Sequence, residues 1–306
     1  MLNKLVKKKY IFLGDTDSIN IEIIVKSHNF LKNKIKYLII CNKSEFCFYL
    51  TRIKSKLKVN EILDPIKFNN YKTNYLNVFN IEHKYKEKYK NLLNQLDISN
   101  NLSNLTSCDL ITMPIDKSIF KKKIKFNGLT EYLGKLNACK TAMLMHGEKF
   151  SIIPLTTHIN LKEVHRSIKN NKLKGILKDI MNVLYNSKYK LNFKNIIFLC
   201  YNPHCSEDST IGKEDELISK LIRKSFKKIL GPYSADSAFN NIKKNTLFIS
   251  TYHDQSLIPF KILNKKGINF TIGLNYRRLS PAHGTAKDII FKNKATNTSY
   301  IQCMLI

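Results

Sequence analysis

FISTYHDQSLIPF, residues 248–260, runs from an apolar, β-favouring stretch straight into four polar or ionisable side chains, Tyr252, His253, Asp254 and Gln255. The change of pattern predicts a buried strand that stops at Ser250 and delivers the polar cluster at its carboxyl end. Two other stretches have the same form: FSIIPLTTH ends at His158, and NIIFLCYNPH ends at His204. The three histidines stand 46 and 49 residues apart. That spacing fits one strand–helix–strand unit between each pair and does not fit a local zinc-finger loop. In an open parallel sheet such carboxyl ends share one edge, which is where ligands bind. Each histidine taken alone reads as a hydrogen-bonded residue at a strand end. Three at equivalent positions favour a cluster that can converge on a divalent cation. Glu207, Asp208, Asp254 and Gln255 stand beside them and can orient a ligating ring through its second nitrogen. His28, His83, His146 and His165 lack this context and read as surface or packing residues.

The same alternation of apolar runs and helix-like segments extends along the chain and predicts an α/β fold. Strands are expected at Tyr10–Leu13, Tyr37–Cys41, Leu110–Met113, Ile152–Thr156, Ile196–Leu199, Leu247–Ser250 and Phe270–Ile272. The clearest amphipathic helix is KEDELISKLIRKSFKKIL, 213–230, with Leu217, Ile218, Leu221, Ile222, Phe226 and Ile229 as its stripe and Gly231-Pro232 as its stop. Residues 160–172 and 175–187 also read as helices. Segment 55–105, rich in Asn and Lys, has no clear period. A chain of 306 residues suggests about two domains. With no linker in sight, the expectation is one catalytic unit, 1–306, of two interleaved lobes. Glycine is scarce, and no G-x-G-x-x-G follows the first strand, so a dinucleotide would need another loop.

Composition excludes several classes. No apolar stretch approaches the roughly 18 residues of a membrane span, and the N-terminus lacks a secretory core. The seven cysteines are scattered and odd in number, which predicts reduced thiols and a cytoplasmic protein. The formal net charge of +29 would suit nucleic acid or an anionic surface. The lysines are nevertheless spread along the whole chain and no nucleic-acid module is visible, so a solvated basic surface is expected, with no membrane and no nucleic-acid partner.

LTTHINLKEV (155–164), NPHCSEDSTIGKEDE (202–216), GPYSADSAF (231–239), YHDQSLIPFK (252–261), INFTIGL (268–274) and SPAHGTAKDI (280–289) follow one another in the order and spacing of a known family. With GDTDSINIEI, MPIDK and GLTE before them, the sequence resembles the 4-hydroxythreonine-4-phosphate dehydrogenase family of pyridoxine biosynthesis. The resemblance implies a two-lobed isocitrate/isopropylmalate dehydrogenase-like α/β fold, an active-site cleft between the lobes, and a homodimer with a shared active site. It implies a divalent ion (zinc, magnesium or cobalt) on His158, His204 and His253, the last from the neighbouring subunit. Thr130, Lys261, Asn269 and Arg278 match residues that contact a small phosphorylated substrate. His283, Gly284 and Thr285, in the HGTA loop, match the segment that holds NAD or NADP. The implied reaction oxidises 4-phosphooxy-L-threonine to 2-amino-3-oxo-4-phosphooxybutanoate, which decarboxylates to 3-amino-2-oxopropyl phosphate. Asp236 and Asp254 are both candidates for the base. Two departures stand out: Leu129 where the family commonly has a phosphate-holding His, and Ala282 where it has an acid. They leave two alternatives open, a dehydrogenase for another phosphorylated hydroxy acid and a basic nucleic-acid-binding protein on a decayed enzyme fold.

Overall fold

Tyr10, Ile11, Phe12 and Leu13 are all buried, and a strand with no polar face can only be an interior strand of a parallel sheet. The structure, a computed structural model, describes residues 8–121, 123–124, 126, 128–185 and 191–306. In it β1 (Lys8–Phe12) pairs in parallel with β2 (Lys36–Cys41) on one side and β5 (Asp109–Thr112) on the other. Beyond β2 the sheet continues with β4 (Leu76–Asn80) and then β3 (Val59–Glu61), also parallel. Helices α1 (Asn20–Leu31), α2 (Lys43–Arg52) and α3 (Lys88–Thr106) make the crossovers. Segment 55–105 therefore holds two short strands and one long helix. The period of α3 was hidden because much of its buried face is amide and hydroxyl: Asn91, Gln95, Ser99, Asn100 and Ser103.

The chain divides into two compact units, Met1–Phe126 with Asn275–Ile306, and Asn127–Leu274. The second unit contains α4 (Leu129–Leu136), β6 (Ala142–His146), β7 (Ser151–Pro154), α5 (Leu161–Ile168), α6 (Asn170–Tyr185), β8 (Asn195–Leu199), α7 (Glu214–Ser225), β9 (Ile229–Tyr233), β10 (Thr246–Ser250), α8 (His253–Leu263) and β11 (Ile268–Ile272). Its strands lie in the order β11-β6-β7-β10-β8-β9. The β11–β6 and β6–β7 pairs are antiparallel, and the remaining three are parallel. The last two residues of the helix expected at 175–187 lie outside the described residues.

One sequence expectation is corrected here. The helix over 213–230 stops at Ser225, and Ile229 pairs with Ile196 in a strand. Asp215, Ile218 and Ile222 are buried while Leu217 is 51% exposed, so the stripe is narrower than its apolar content implies. Pairing with β8 overrides helical period at 226–230. Pro232 does not stop a helix but sits in the terminal strand of the sheet, where a missing N–H is tolerated.

The first unit is completed when the chain returns in β12 (Arg278–Pro281), parallel to β5, and α9 (Thr298–Leu305). A buried ionic cluster joins these pieces. Arg277 grips Asp109 through two nitrogens, at 2.7 and 2.5 Å, and Lys9 lies 3.1 Å from the same carboxylate and donates to the Cys303 carbonyl at 3.0 Å. Burial pulls the Lys9 pKa down against the opposing pull of Asp109. Among the described residues no helix is long and apolar enough to cross a membrane.

Candidate active site

In the second unit β10 pairs in parallel with both β7 and β8, so the carboxyl ends of these three neighbours share one edge. His158 follows β7, His253 opens α8 directly after β10, and His204 follows β8. The His158 and His253 rings stand 5.7 Å apart, centroid to centroid. Asp254 Oδ1 lies 2.6 Å from His253 Nδ1 and turns the other ring nitrogen, Nε2, away from itself. His158 Nδ1 faces Glu131 Oε1 at 3.5 Å, and Thr157 Oγ1 donates to the same oxygen at 2.9 Å. Burial opposes the charge on Glu131, yet hydrogen bonds from His158, its own backbone and Thr157 outweigh it and hold the carboxyl down at about 2. Gly128 leaves room for this contact. A Cβ there would stand 2.7 Å from Glu131 Oε2 and 3.2 Å from His158 Cε1.

His204 is delivered differently. It begins a run in which every residue to Ser209 has positive φ, a left-handed turn built without glycine. Asp215, at the start of α7, closes its base by accepting from Tyr201 N (2.7 Å), Asn202 N (2.9 Å) and Ser206 Oγ (2.7 Å). Among the described residues no group of three or more His, Cys, Asp or Glu side chains is gathered as a metal-holding set in one chain. The structure thus brings His158 and His253 together and does not bring His204 to them.

The flanking groups divide by role. Asp254 orients His253, whereas Gln255 ties strand ends together: its Oε1 accepts from Thr251 N and Oγ1, both at 2.8 Å, and its Nε2 donates to the Cys200 carbonyl at 2.8 Å. Asp236 is exposed. A hydrogen bond from Ser234 lowers its pKa, and the nearby His204 acts in the same direction. Lys261 lies two turns beyond His253 on α8, also exposed. Thr130 is buried with its hydroxyl 3.0 Å from that of Thr271. Asn269 is two residues back along β11 and so on the same face, its Oδ1 buried without a partner. Beside Thr130, Glu131 and Thr157 opens a cavity of about 210 Å³, walled on its far side by Ile176, Ile180 and Val183.

A model of the family described as pyridoxal phosphate biosynthetic protein PdxA matches residues 20–306. The chain is also 34% identical to the 4-hydroxythreonine-4-phosphate dehydrogenase of Aquifex aeolicus (strain VF5), over 97% of this chain and 96% of that protein. The chain belongs to the PdxA family. The protein of the same description from Campylobacter fetus subsp. fetus is 32% identical over 96% of this chain and 95% of its own. Among solved structures, the 4-hydroxythreonine-4-phosphate dehydrogenase of Klebsiella pneumoniae superposes with a TM-score of 0.80 at 22% identity, covering 99% of this chain and 98% of that one. A terephthalate 1,2-cis-dihydrodiol dehydrogenase from Burkholderia xenovorans reaches 0.59 at 16% identity over 98% of both chains. These two show a shared α/β fold.

The remaining residues that the PdxA resemblance singles out lie in the first unit. Arg278 is buried on β12, its Nε donating to Thr112 Oγ1 at 2.8 Å. Thr285 of the HGTA loop accepts at its carbonyl from Ile19 N (3.1 Å), while His283 Nδ1 lies 2.9 Å from the Gly284 carbonyl and His283 Nε2 is buried without a partner. Lys287 clamps the far end of the loop to Asp116 at 2.5 Å. At the two departures from the PdxA pattern, Leu129 is half-buried at the first turn of α4, and Ala282 N is held by Ser299 Oγ at 2.8 Å. Two side chains that shape the candidate site were not singled out from the sequence: Glu131, which faces His158, and Asp215, which closes the His204 turn. Only Glu131 carried a signal, its place in the Gly-Leu-Thr-Glu block.

Proposed function

We propose that this chain is a cytoplasmic dehydrogenase that oxidises 4-phosphooxy-L-threonine at its hydroxyl-bearing carbon with NAD or NADP, using one divalent ion held by His158, His204 and His253. The observation that carries the reading is the paired delivery of His158 and His253 from adjacent parallel strands, each backed by a carboxylate, Glu131 and Asp254. The donors are imidazole nitrogens, which suit zinc better than magnesium. When bound, the ion lowers the pKa of the substrate hydroxyl and the nicotinamide accepts the hydride. Glu131 and Asp254 fix the two rings, Asp236 or Asp254 takes the proton, and Thr130, Asn269 and Lys261 hold the phosphorylated end. Arg278, which donates to Thr112, adds a planar cation for an anionic group.

The same reading carries a homodimer with it. Among the described residues no three-imidazole centre closes within one chain, and α8, which His253 opens, leaves Ile258 and Ile262 59% and 67% exposed, a face suited to a second copy. Leu129 favours one second reading, a relative acting on another phosphorylated hydroxy acid, because an aliphatic side chain cannot bond a phosphate.

The test is NADH or NADPH formation by metal-reconstituted protein with 4-phosphooxy-L-threonine, with and without chelator, beside His204→Ala. Chelator-sensitive turnover, lost together with bound metal in His204→Ala, is the expected result. Normal turnover and full metal content in that variant would remove the metal assignment. Turnover only with a different phosphorylated hydroxy acid would select the second reading.

A further inference from the structure

We infer that Cys200 and Cys205 form a reversible dithiol, oxidised to a disulfide by low-molecular-weight disulfides, and that the oxidised form weakens the hold of the His204 turn on its metal ion. This rests on the reading above that His204 is a ligand, and adds a means of regulating it. Cys200 directly follows β8 and Cys205 directly follows His204, so the pair brackets the turn that carries the histidine. Their bonds also bring them to one place. Cys200 N donates to the Tyr233 carbonyl at 2.9 Å, and Cys205 Sγ donates to the carbonyl of the preceding residue, Pro232, at 3.6 Å. Both cysteines are therefore held against the same two residues of β9.

The two thiols differ in access. Cys200 is 2% exposed, whereas Cys205 is half-buried and opens on a cavity of about 610 Å³ lined also by Asp208, Ser209, Arg223 and Pro232. Cys205 is thus the attacking thiol and Cys200 the resolving one. Burial and the adjoining Cys200 thiol push the Cys205 thiol up to about 12, so exchange is slow at neutral pH and the pair follows the standing thiol–disulfide poise and not a brief oxidant pulse. The exchange balances with one small disulfide, RSSR. The Cys205 sulfur attacks one sulfur of RSSR, breaks that bond and releases RSH, which takes the Cys205 proton. Cys200 then attacks the Cys205 sulfur of the mixed disulfide and releases the second RSH with its own proton. The protein loses two electrons and two protons, and RSSR becomes two RSH. Both S–H donors vanish in this step. The Pro232 carbonyl loses Cys205, and the Asn202 carbonyl loses Cys200 Sγ, which donates to it at 2.9 Å in the reduced protein. His204 and Cys205 already stand in the left-handed region, at φ 50° and 56°, and a covalent tie from Cys205 to the end of β8 moves the neighbouring imidazole. Loss of the groups that orient a ligand costs roughly 10–100-fold in metal affinity.

The test equilibrates purified full-length protein in glutathione buffers from fully reduced to fully oxidised. Free thiols are trapped with iodoacetamide and mapped by peptide mass spectrometry. In parallel, untrapped protein is freed of glutathione and its zinc affinity is measured by competition with a chromophoric chelator. The oxidising buffers should yield a Cys200–Cys205 disulfide and zinc binding weaker by roughly tenfold or more, restored by a phosphine reductant. Cys205→Ala should bind zinc as the reduced wild type does and be indifferent to the buffer. Absence of that disulfide at the oxidising end, or its formation with zinc affinity unchanged, overturns the inference while leaving the metal reading in place. Weakened zinc binding by reduced Cys205→Ala also overturns it, since Cys205 would then be a ligand and not a switch. Absence of zinc binding by the reduced wild type removes the metal reading and this inference with it. The wild-type measurements need no variant, so a Cys205→Ala protein that failed to fold would not weaken the test.

Discussion

Asp215→Asn challenges the loop that carries His204. Residues His204 to Ser209 have φ between 43° and 73°, six successive non-glycine residues in the left-handed region. At roughly 1 kcal/mol for each, that conformation costs on the order of 6 kcal/mol. Asp215 is 2% exposed and accepts three hydrogen bonds, from Tyr201 N, Asn202 N and Ser206 Oγ. Bonds to a charged acceptor contribute about 1.5–3 kcal/mol each, so the set contributes about 4.5–9 kcal/mol and offsets the strain. Asparagine keeps the shape but turns one acceptor into an NH2 that faces donors, so at least one bond is lost and one donor is left buried and unpaired. The expected loss is about 3 kcal/mol. For a unit of this size each kcal/mol lowers Tm by roughly 2–4 °C, giving a fall of roughly 6–12 °C. The assay is differential scanning calorimetry beside the metal content of the reconstituted protein, which should also decline as the His204 loop loosens. A Tm within about 2 °C of wild type, with metal content unchanged, would refute the idea that Asp215 holds this turn.

Three further outcomes follow from the geometry. Asp208→Gly, at φ 52°, removes one left-handed penalty and should raise the urea midpoint at unchanged slope, a gain of about 0.5–1 kcal/mol. Gly128→Ala places a methyl group 2.7 Å from Glu131 Oε2 and 3.2 Å from His158 Cε1; kcat should fall by roughly tenfold or more while Tm changes little, because a small misplacement at reacting groups is costly. The Asp116 carboxyl is held down at about 2 by hydrogen bonds from Lys287 and Ser118. A depressed carboxyl stabilises the fold above its ordinary range near 4 and loses that contribution as pH falls towards 2. The difference in stability between wild type and Asp116→Asn should therefore be constant at neutral pH, at about 0.5–1 kcal/mol for so exposed a pair, and vanish in acid. Equal differences at pH 7 and pH 2 would show that the Lys287 contact is not what holds the carboxyl down.

Legibility in the sequence followed burial. The strands at 10–13, 37–41, 110–113, 196–199 and 247–250 were visible because strands covered on both faces are unbroken apolar runs. β3 and β4 escaped notice: one is three residues long and terminal in its sheet, and both lie in Asn- and Lys-rich surroundings. β9 was concealed by the helical spacing of Phe226 and Ile229, two residues whose apolar side chains serve a helix face or a strand equally well. Within the candidate site, the histidines were legible because each interrupts an apolar run. Glu131 and Asp215 were not, because a charged residue in a helical first turn is also what any solvated helix carries.

By itself the sequence determined the positions of the apolar runs, the histidines that end three of them, and the motif order that places the chain in the PdxA family. These are local properties, set by the period and polarity of neighbouring residues. Only the tertiary structure decided that β10 lies between β7 and β8, bringing His253 beside His158 while His204 stands off on its own loop. That choice rests on backbone pairing between segments some 50 to 100 residues apart, and no local pattern encodes it.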